Sequence, residues 1–297
     1  IKAIVDMYLN INKIKLDDAS DAIALLAPTG RASKRISEST LFSASTIHRF
    51  LRWNKDLNQF GINEYNKSTC KLIIIDEFSM IDILLLDNLF KGLSDNVQIV
   101  IVGDYHQLPS VGPGQVLKDF ILSDVIPTIT LDLLYRQSDD SYITTLAYDI
   151  QNNEVDDNFL TTKNDYTFLS CPADYIRASI EKIGFQLKEK NYSYKQVQFM
   201  APMYAGVNGI DELNKILQRI FNPADDLKKE IKYGDVIFRE NDKVLQLVNM
   251  PDDNVFNGDI GVISKIKTSH ETKTKKNEIY VDFDGNEVKY EPKDFIN

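Results

Sequence analysis

The apolar run Leu72-Ile73-Ile74-Ile75 ends in two adjacent carboxylates, Asp76-Glu77. A buried strand that delivers two acids to a sheet edge suits phosphoryl transfer. The first acid can hold Mg2+ through its waters, and the second can orient and deprotonate an attacking water. This is the Walker B arrangement, although the pair alone also fits a strand end with solvated acids. A second apolar run, 97–102, leads into Gly103-Asp104-Tyr105-His106-Gln107-Leu108-Pro109-Ser110-Val111-Gly112-Pro113-Gly114. Here too an acid follows the strand, and a loop stiffened by two prolines comes next. Gln107 can donate an amide hydrogen bond to a terminal phosphate and so report whether that phosphate is present.

A third segment, Ala27-Pro28-Thr29-Gly30-Arg31-Ala32-Ser33-Lys34-Arg35, offers open backbone amides at a helix start with cationic side chains beside them. Such a start can meet nucleic-acid phosphates, although a basic helix is also an ordinary solvated face. Thr46-Ile47-His48-Arg49 adds a hydroxyl and an imidazole to the same path, with packing or capping as the alternative role for His48. Arg136, in Leu134-Tyr135-Arg136-Gln137, stands at an expected domain junction, where a guanidinium can reach a γ-phosphate across a cleft.

The elements that must position these groups follow from periodicity. Residues 1–14 place Ile1, Ile4, Val5 and Tyr8 on one helical face. Strands are predicted at 21–27, 71–75 and 97–102, with helices at 31–38 and 82–91 between them and Ser45 capping a further helix. Polar residues just past each strand end describe a parallel α/β sheet, whose ligands bind beyond the carboxyl ends of the strands. Residues 52–69 lose helical period and are expected to form a β-hairpin. Beyond Arg136, helices at 141–151 and 211–221 and a strand at 196–200 predict a second α/β domain. From Asp253 short β segments with turns at Asn257-Gly258 and Asp284-Gly285 suit a small barrel.

At 297 residues the chain can bury a substantial core in two or more domains. Its hydrophobic content of 43% and charged content of 26% are those of a soluble globular protein, and the longest apolar runs are only strand length. Cys70 and Cys171 fit no disulfide or zinc spacing and His48, His106 and His270 are scattered, so a reducing cytoplasm is the expected location. The net charge of −10 disfavours a non-specific polyanion binder but leaves room for a local groove that holds a single strand.

Taken in order, these segments resemble the RecD-like branch of superfamily 1 DNA helicases, which includes the alpha chain of exodeoxyribonuclease V. APTGRASKR resembles that family's motif Ia, STIHRFL motif Ib, IIIDEFSM motif II, GDYHQLPSVGPGQVL motif III and LYRQ motif IV. Further similarity lies in Ala201-Pro202-Met203-Tyr204-Ala205-Gly206, in Phe221-Asn222-Pro223 and in Val255-Phe256-Asn257-Gly258-Asp259-Ile260-Gly261.

The resemblance implies two RecA-like P-loop NTPase domains, both incomplete, with an SH3-like β-barrel insertion. They would divide as 1–138, with the hairpin at about 52–69 as a duplex-splitting pin, 139–252, and 253–297 for the insertion. It implies an ATP- and Mg2+-dependent 5′-to-3′ helicase acting on single-stranded DNA and duplex junctions, with repair or recombination proteins as partners and no membrane. Asp76 would serve Mg2+ through water, Glu77 the attacking water, Gln107 phosphate sensing and Arg136 the γ-phosphate. Pro28, Thr29, Gly30, Arg31, Thr46 and His48 would line the DNA path.

The chain departs from the family pattern in lacking any GxxxxGK[ST]. The family's phosphate loop immediately precedes a helix resembling residues 1–14, and its motifs V and VI follow the β-module. The expectation is therefore a fragment, inactive by itself, of an active motor. A non-catalytic DNA-binding or scaffold remnant of a helicase is the alternative. A nuclease is disfavoured, because no carboxylate cluster beyond Asp76-Glu77 would hold two metals.

Overall fold

The computed structural model describes residues 1–54, 57–131 and 141–295. The chain divides into two compact units, Ile1–Leu134 and Tyr135–Asn297.

The first unit contains α1 (Lys2–Asn12), α2 (Ala19–Ala22), β1 (Ile23–Ala27), α3 (Gly30–Thr40), β2 (Ala44–Thr46), α4 (Ile47–Phe50), β3 (Trp53–Asn54), β4 (Gln59–Phe60), β5 (Leu72–Ile75), α5 (Ile83–Lys91), β6 (Gln98–Ile101) and α6 (Val116–Leu122). Its main sheet runs β2-β1-β5-β6, and all three strand pairs are parallel. Side chains alternate across a strand, so β5 sends Leu72 and Ile74 to one face and Ile73 and Ile75 to the other. Leu72 and Ile74 pack with Val5, Leu9 and Ile36 of α1 and α3. Ile73 and Ile75 pack with Ile47, Leu86, Leu89 and Val116 of α4, α5 and α6. All four β5 side chains are buried, each contributing about 1.5–3 kcal/mol relative to exposure. That two-sided burial makes β5 an unbroken apolar run, and it fixes where the run must stop.

Local chemistry sets the ends. Thr29 caps α3 by accepting from the Ala32 N–H at 3.3 Å, and Asp82 caps α5 by accepting from Leu85 N–H at 2.7 Å. Thr46, not the expected Ser45, caps α4, accepting from Arg49 N–H at 3.2 Å. Ser45 is held one residue earlier in β2, paired with Leu26. The hairpin is also shorter than 52–69: β3 pairs with β4 in the register Trp53 to Phe60. Ile62 then turns into the core, and residues 63–66 close a separate turn through a bridge between Asn63 and Asn66.

The second unit contains α7 (Tyr142–Asn152), α8 (Ile176–Glu189), α9 (Ile210–Phe221), β7 (Glu230–Tyr233), β8 (Val236–Arg239), β9 (Lys243–Leu245), β10 (Ile260–Lys267), β11 (Glu278–Phe283) and β12 (Asn286–Tyr290). Leu213, Ile216 and Ile220 of α9 form a small core with Ile180 of α8, where Gly184 lies so close to Ile220 that a Cβ would sit 2.9 Å from its Cδ1. The strands form an antiparallel sheet in the order β12-β11-β10-β9 and a separate β7-β8 hairpin. Ile263, Ile266, Val281, Phe283 and Val288 fill the sheet's core.

Two expectations change here. Residues 196–200 form no strand, since no described neighbour pairs with them and an unpaired ladder leaves its N–H and C=O groups unmet. The barrel-like sheet also begins before Asp253, because β9 pairs with β10 in the register Ile260 to Leu245.

Candidate functional site

The four parallel strands end at one edge, and the singled-out residues of the first unit follow them there. Thr29 follows β1, Thr46 closes β2, Asp76 follows β5 and Asp104 follows β6. Asp76 sits mid-edge: its N–H donates to Leu26 C=O at 2.9 Å, while Val102 N–H donates to Ile75 C=O at 2.8 Å on the other side.

The chain turns sharply after the strand. Glu77 adopts φ 52° and ψ 39°, a left-handed conformation that disfavours a residue with a Cβ. Its N–H donates to Asp76 Oδ1 at 2.9 Å, so the first acid holds the backbone of the second. Phe78 N–H then donates to Val102 C=O at 3.1 Å, tying this turn to the end of β6. Close approach requires glycine next door: a Cβ on Gly103 would lie 2.9 Å from Leu117 Cδ2 and 3.1 Å from Phe78 N. Both acids remain half-buried.

Gln107 belongs to the same edge. Its side-chain amide donates to Asp104 Oδ2 at 3.2 Å, and His106 N–H donates to Asp104 Oδ1 at 3.0 Å. Asp104 therefore folds the loop around itself and holds the Gln107 amide while Gln107 stays exposed. Further along, Ser110 Oγ donates to the carbonyls of Gly112 and Gly114 at 3.0 and 3.2 Å, and Ile83 N–H donates to Pro113 C=O at 3.0 Å. A Cβ on Gly112 would lie 2.1 Å from Asp82 Oδ2, so only glycine fits against the cap of α5. Asp82, Asp104 and Ser110 place the loop, a positioning role that their residue types alone did not reveal. The signal for Asp82 was an acid immediately before a helical run.

The acids suit a hard cation. Mg2+ takes oxygen ligands, keeps several waters, and is commonly bound by one or two carboxylates together with substrate phosphates. Asp76 fits, because Oδ1 accepts one backbone hydrogen bond and Oδ2 has none among the described residues. Among the described residues no three His, Cys, Asp or Glu side chains gather into a complete metal cage. The hydroxyl of Ser79, two residues beyond Glu77, is buried without a hydrogen-bond partner among the described residues.

On the β1–β2 side, Pro28, Thr29, Gly30 and Arg31 form the start of α3, with Gly30 buried and Arg31 exposed. His48 keeps an exposed edge but lies against two rings, 6.4 Å from Trp53 and 5.9 Å from Phe60. Desolvation lowers its pKa from 6.5, with Asp82 pulling the other way. Arg136 lies outside the described residues.

A parallel α/β sheet with acids at adjacent strand ends, followed in the chain by an antiparallel β-module, is a RecA-like fold with an SH3-like module. A family model described as an AAA domain matches residues 1–113, and the SH3 domain of ATP-dependent RecD-like DNA helicases matches residues 213–283. In these two regions and in the curated relatives it matches, the chain is similar to the RecD-like helicases. The ATP-dependent RecD2 DNA helicase of Deinococcus radiodurans is 30% identical over 275 residues, 93% of this chain and 35% of that protein. The RecBCD enzyme subunit RecD of Buchnera aphidicola subsp. Schizaphis graminum is 24% identical over 338 residues, 88% of this chain and 55% of that protein. The chain thus spans between about a third and about half of these relatives. A solved structure of Pif1 helicases on forked duplex DNA covers 98% of this chain and 70% of that chain at 16% identity, with a TM-score of 0.48. Among the described residues no helix is long and apolar enough to cross a membrane.

Proposed function

We propose that the intact protein is an ATP-driven motor that moves 5′ to 3′ along single-stranded DNA and opens duplex junctions in repair or recombination, in the cytoplasm. The observation that carries this reading is the common edge: Asp76-Glu77 and the Gln107 loop leave neighbouring parallel strands and are tied through Phe78 and Val102. Mg2+ bound there would neutralise charge developing on the transferred phosphoryl group. Glu77 orients the attacking water and takes its proton. Gln107, released from Asp104, donates its amide to the terminal phosphate. Arg136 supplies a guanidinium to the γ-phosphate as the two RecA-like domains close. Pro28, Thr29, Gly30, Arg31, Thr46 and His48 line the strand's path, and the β3–β4 hairpin acts as the pin that parts the duplex.

The domains assigned to this machine are 1–138 and 139–252, with 253–297 as the inserted β-module, whose sheet draws β9 from before that boundary. Residues 1–297 carry no glycine-rich cradle for the triphosphate, so this segment alone is expected neither to hydrolyse ATP nor to unwind DNA. The test is Glu77→Gln in the full-length protein. DNA-stimulated ATP hydrolysis is expected to fall on the order of 10³-fold or more while nucleotide binding survives. Turnover at the wild-type rate refutes the assignment.

A further inference from the structure

Beside the hairpin lies an open groove of about 670 Å³, walled on one side by β3–β4 and on the other by α5. Its hairpin wall is aromatic. The Trp53 and Phe60 rings meet at 4.6 Å with an interplanar angle of 53°, and the His48 ring, which also lines the groove, joins the cluster. Trp53 remains 39% exposed in spite of these contacts, and Leu84 on the facing helix is 61% exposed. Large rings held rigid by one another with a face still open to water are what a planar, apolar-faced ligand needs.

The polar groups at the rim narrow the ligand further. Asp82 and Glu64 are acceptors only, and Gln59 adds an amide whose side chain makes no hydrogen bond among the described residues. Among the described residues Lys91 is the one lysine or arginine that lines the groove, and its ammonium is engaged by Asp87 at 2.6 Å. Phosphate is therefore unwelcome, since two carboxylates face it and the available cation is taken. A ligand with a π-face and an N–H-bearing edge is favoured on every count.

We propose that this groove is a stacking pocket for one unpaired nucleobase of the DNA strand, selective for bases with an exocyclic amino group. The base lies against Trp53 with Leu84 opposite, and its amino group donates to Asp82 or Glu64. The pocket depends on the single-strand reading given above and adds to it a fixed point at which the hairpin grips a base and not the backbone. Thymine, which has no exocyclic amino group, offers only its ring N3–H between two carbonyl oxygens that the carboxylates repel, and binds less well.

The experiment steps a single abasic site along an oligonucleotide of single-stranded DNA and measures its binding to the full-length protein by fluorescence anisotropy. One position is expected to weaken binding about tenfold, the scale of losing one stacked base. At that position thymine should bind severalfold more weakly than cytosine or adenine. Trp53→Ala should flatten the profile and Trp53→Phe should keep it. A flat profile for the wild-type protein with tight binding retained overturns the pocket and leaves the motor reading standing. Failure of the intact oligonucleotide to bind overturns both. The wild-type scan decides the matter even if Trp53→Ala fails to fold.

Discussion

The polar groups of the two units are handled in opposite ways. At the edge of the first unit's sheet, Asp76, Glu77 and Gln107 are half-buried or exposed, supported by a strand that is wholly apolar, and left with open hydrogen-bonding capacity. In the second unit the conspicuous polar groups turn inward and are consumed by one another. Arg239, 5% exposed, donates to Glu230 at 2.5 Å and to the Asn222 carbonyl. Asp242 accepts from Gln218 at 2.6 Å, from Asn222 at 2.7 Å and from the Arg239 backbone at 2.8 Å. Gln246 accepts from the Tyr290 hydroxyl at 2.6 Å, and burial pushes that phenol up to about 12. A saturated network specifies how α9 meets the β-strands, whereas an unsaturated acid pair on a rigid support is available for a ligand.

This contrast can be broken at several points. The largest stability effect belongs to the second unit: Arg239→Ala leaves the Asn222 carbonyl and Glu230 without their donor. It should destabilise that unit by about 3 kcal/mol, measured by urea unfolding. Next comes Gly112→Ala, whose Cβ collides with Asp82. About 1–3 kcal/mol of strain is expected, together with a lower kcat in the full-length protein as the Gln107 loop shifts. The third substitution runs the other way. Glu77→Asn relieves the left-handed backbone and should raise stability by about 0.5–1 kcal/mol while abolishing turnover, since asparagine tolerates that conformation. A loss of stability there would make Glu77 a structural residue like Arg239.

The smallest effect concerns pH. His48 has a folded pKa below 6.5, so the unfolded chain binds more protons in the interval between the two values. Stability should therefore rise with pH through that interval and level off above about 6.5, and His48→Gln should remove the slope in denaturation curves taken across it.

How much of this was legible in the sequence depends on how local its cause is. β5 and the acids after it could be read because a strand buried on both faces must be apolar throughout and must stop where polar residues begin. The Gln107 loop was legible as a polar loop leaving a strand end, but the contacts that place it were not. That placement depends on Asp104, on Ser110, and on Gly112 meeting an α5 cap thirty positions away in sequence. The cap at Thr46 was missed by one residue because pairing with β1 decides where β2 ends, and β2 has no apolar run of its own. Residues 196–200 carry strand-like composition, yet a strand exists only with a partner. The β-module's turns at Asn257-Gly258 and Asp284-Gly285 were plain, since Gly258 and Gly285 both have φ of 94°. The β9 contribution was not, because three residues give too little period.

The most direct measurement is a double-mutant cycle on kcat in the full-length protein, combining Glu77→Gln with Gln107→Ala. If both side chains act on one phosphoryl group, the double variant should turn over about as slowly as Glu77→Gln alone. If the two losses instead multiply as independent factors, the acid pair and the glutamine loop do not serve a single nucleotide site.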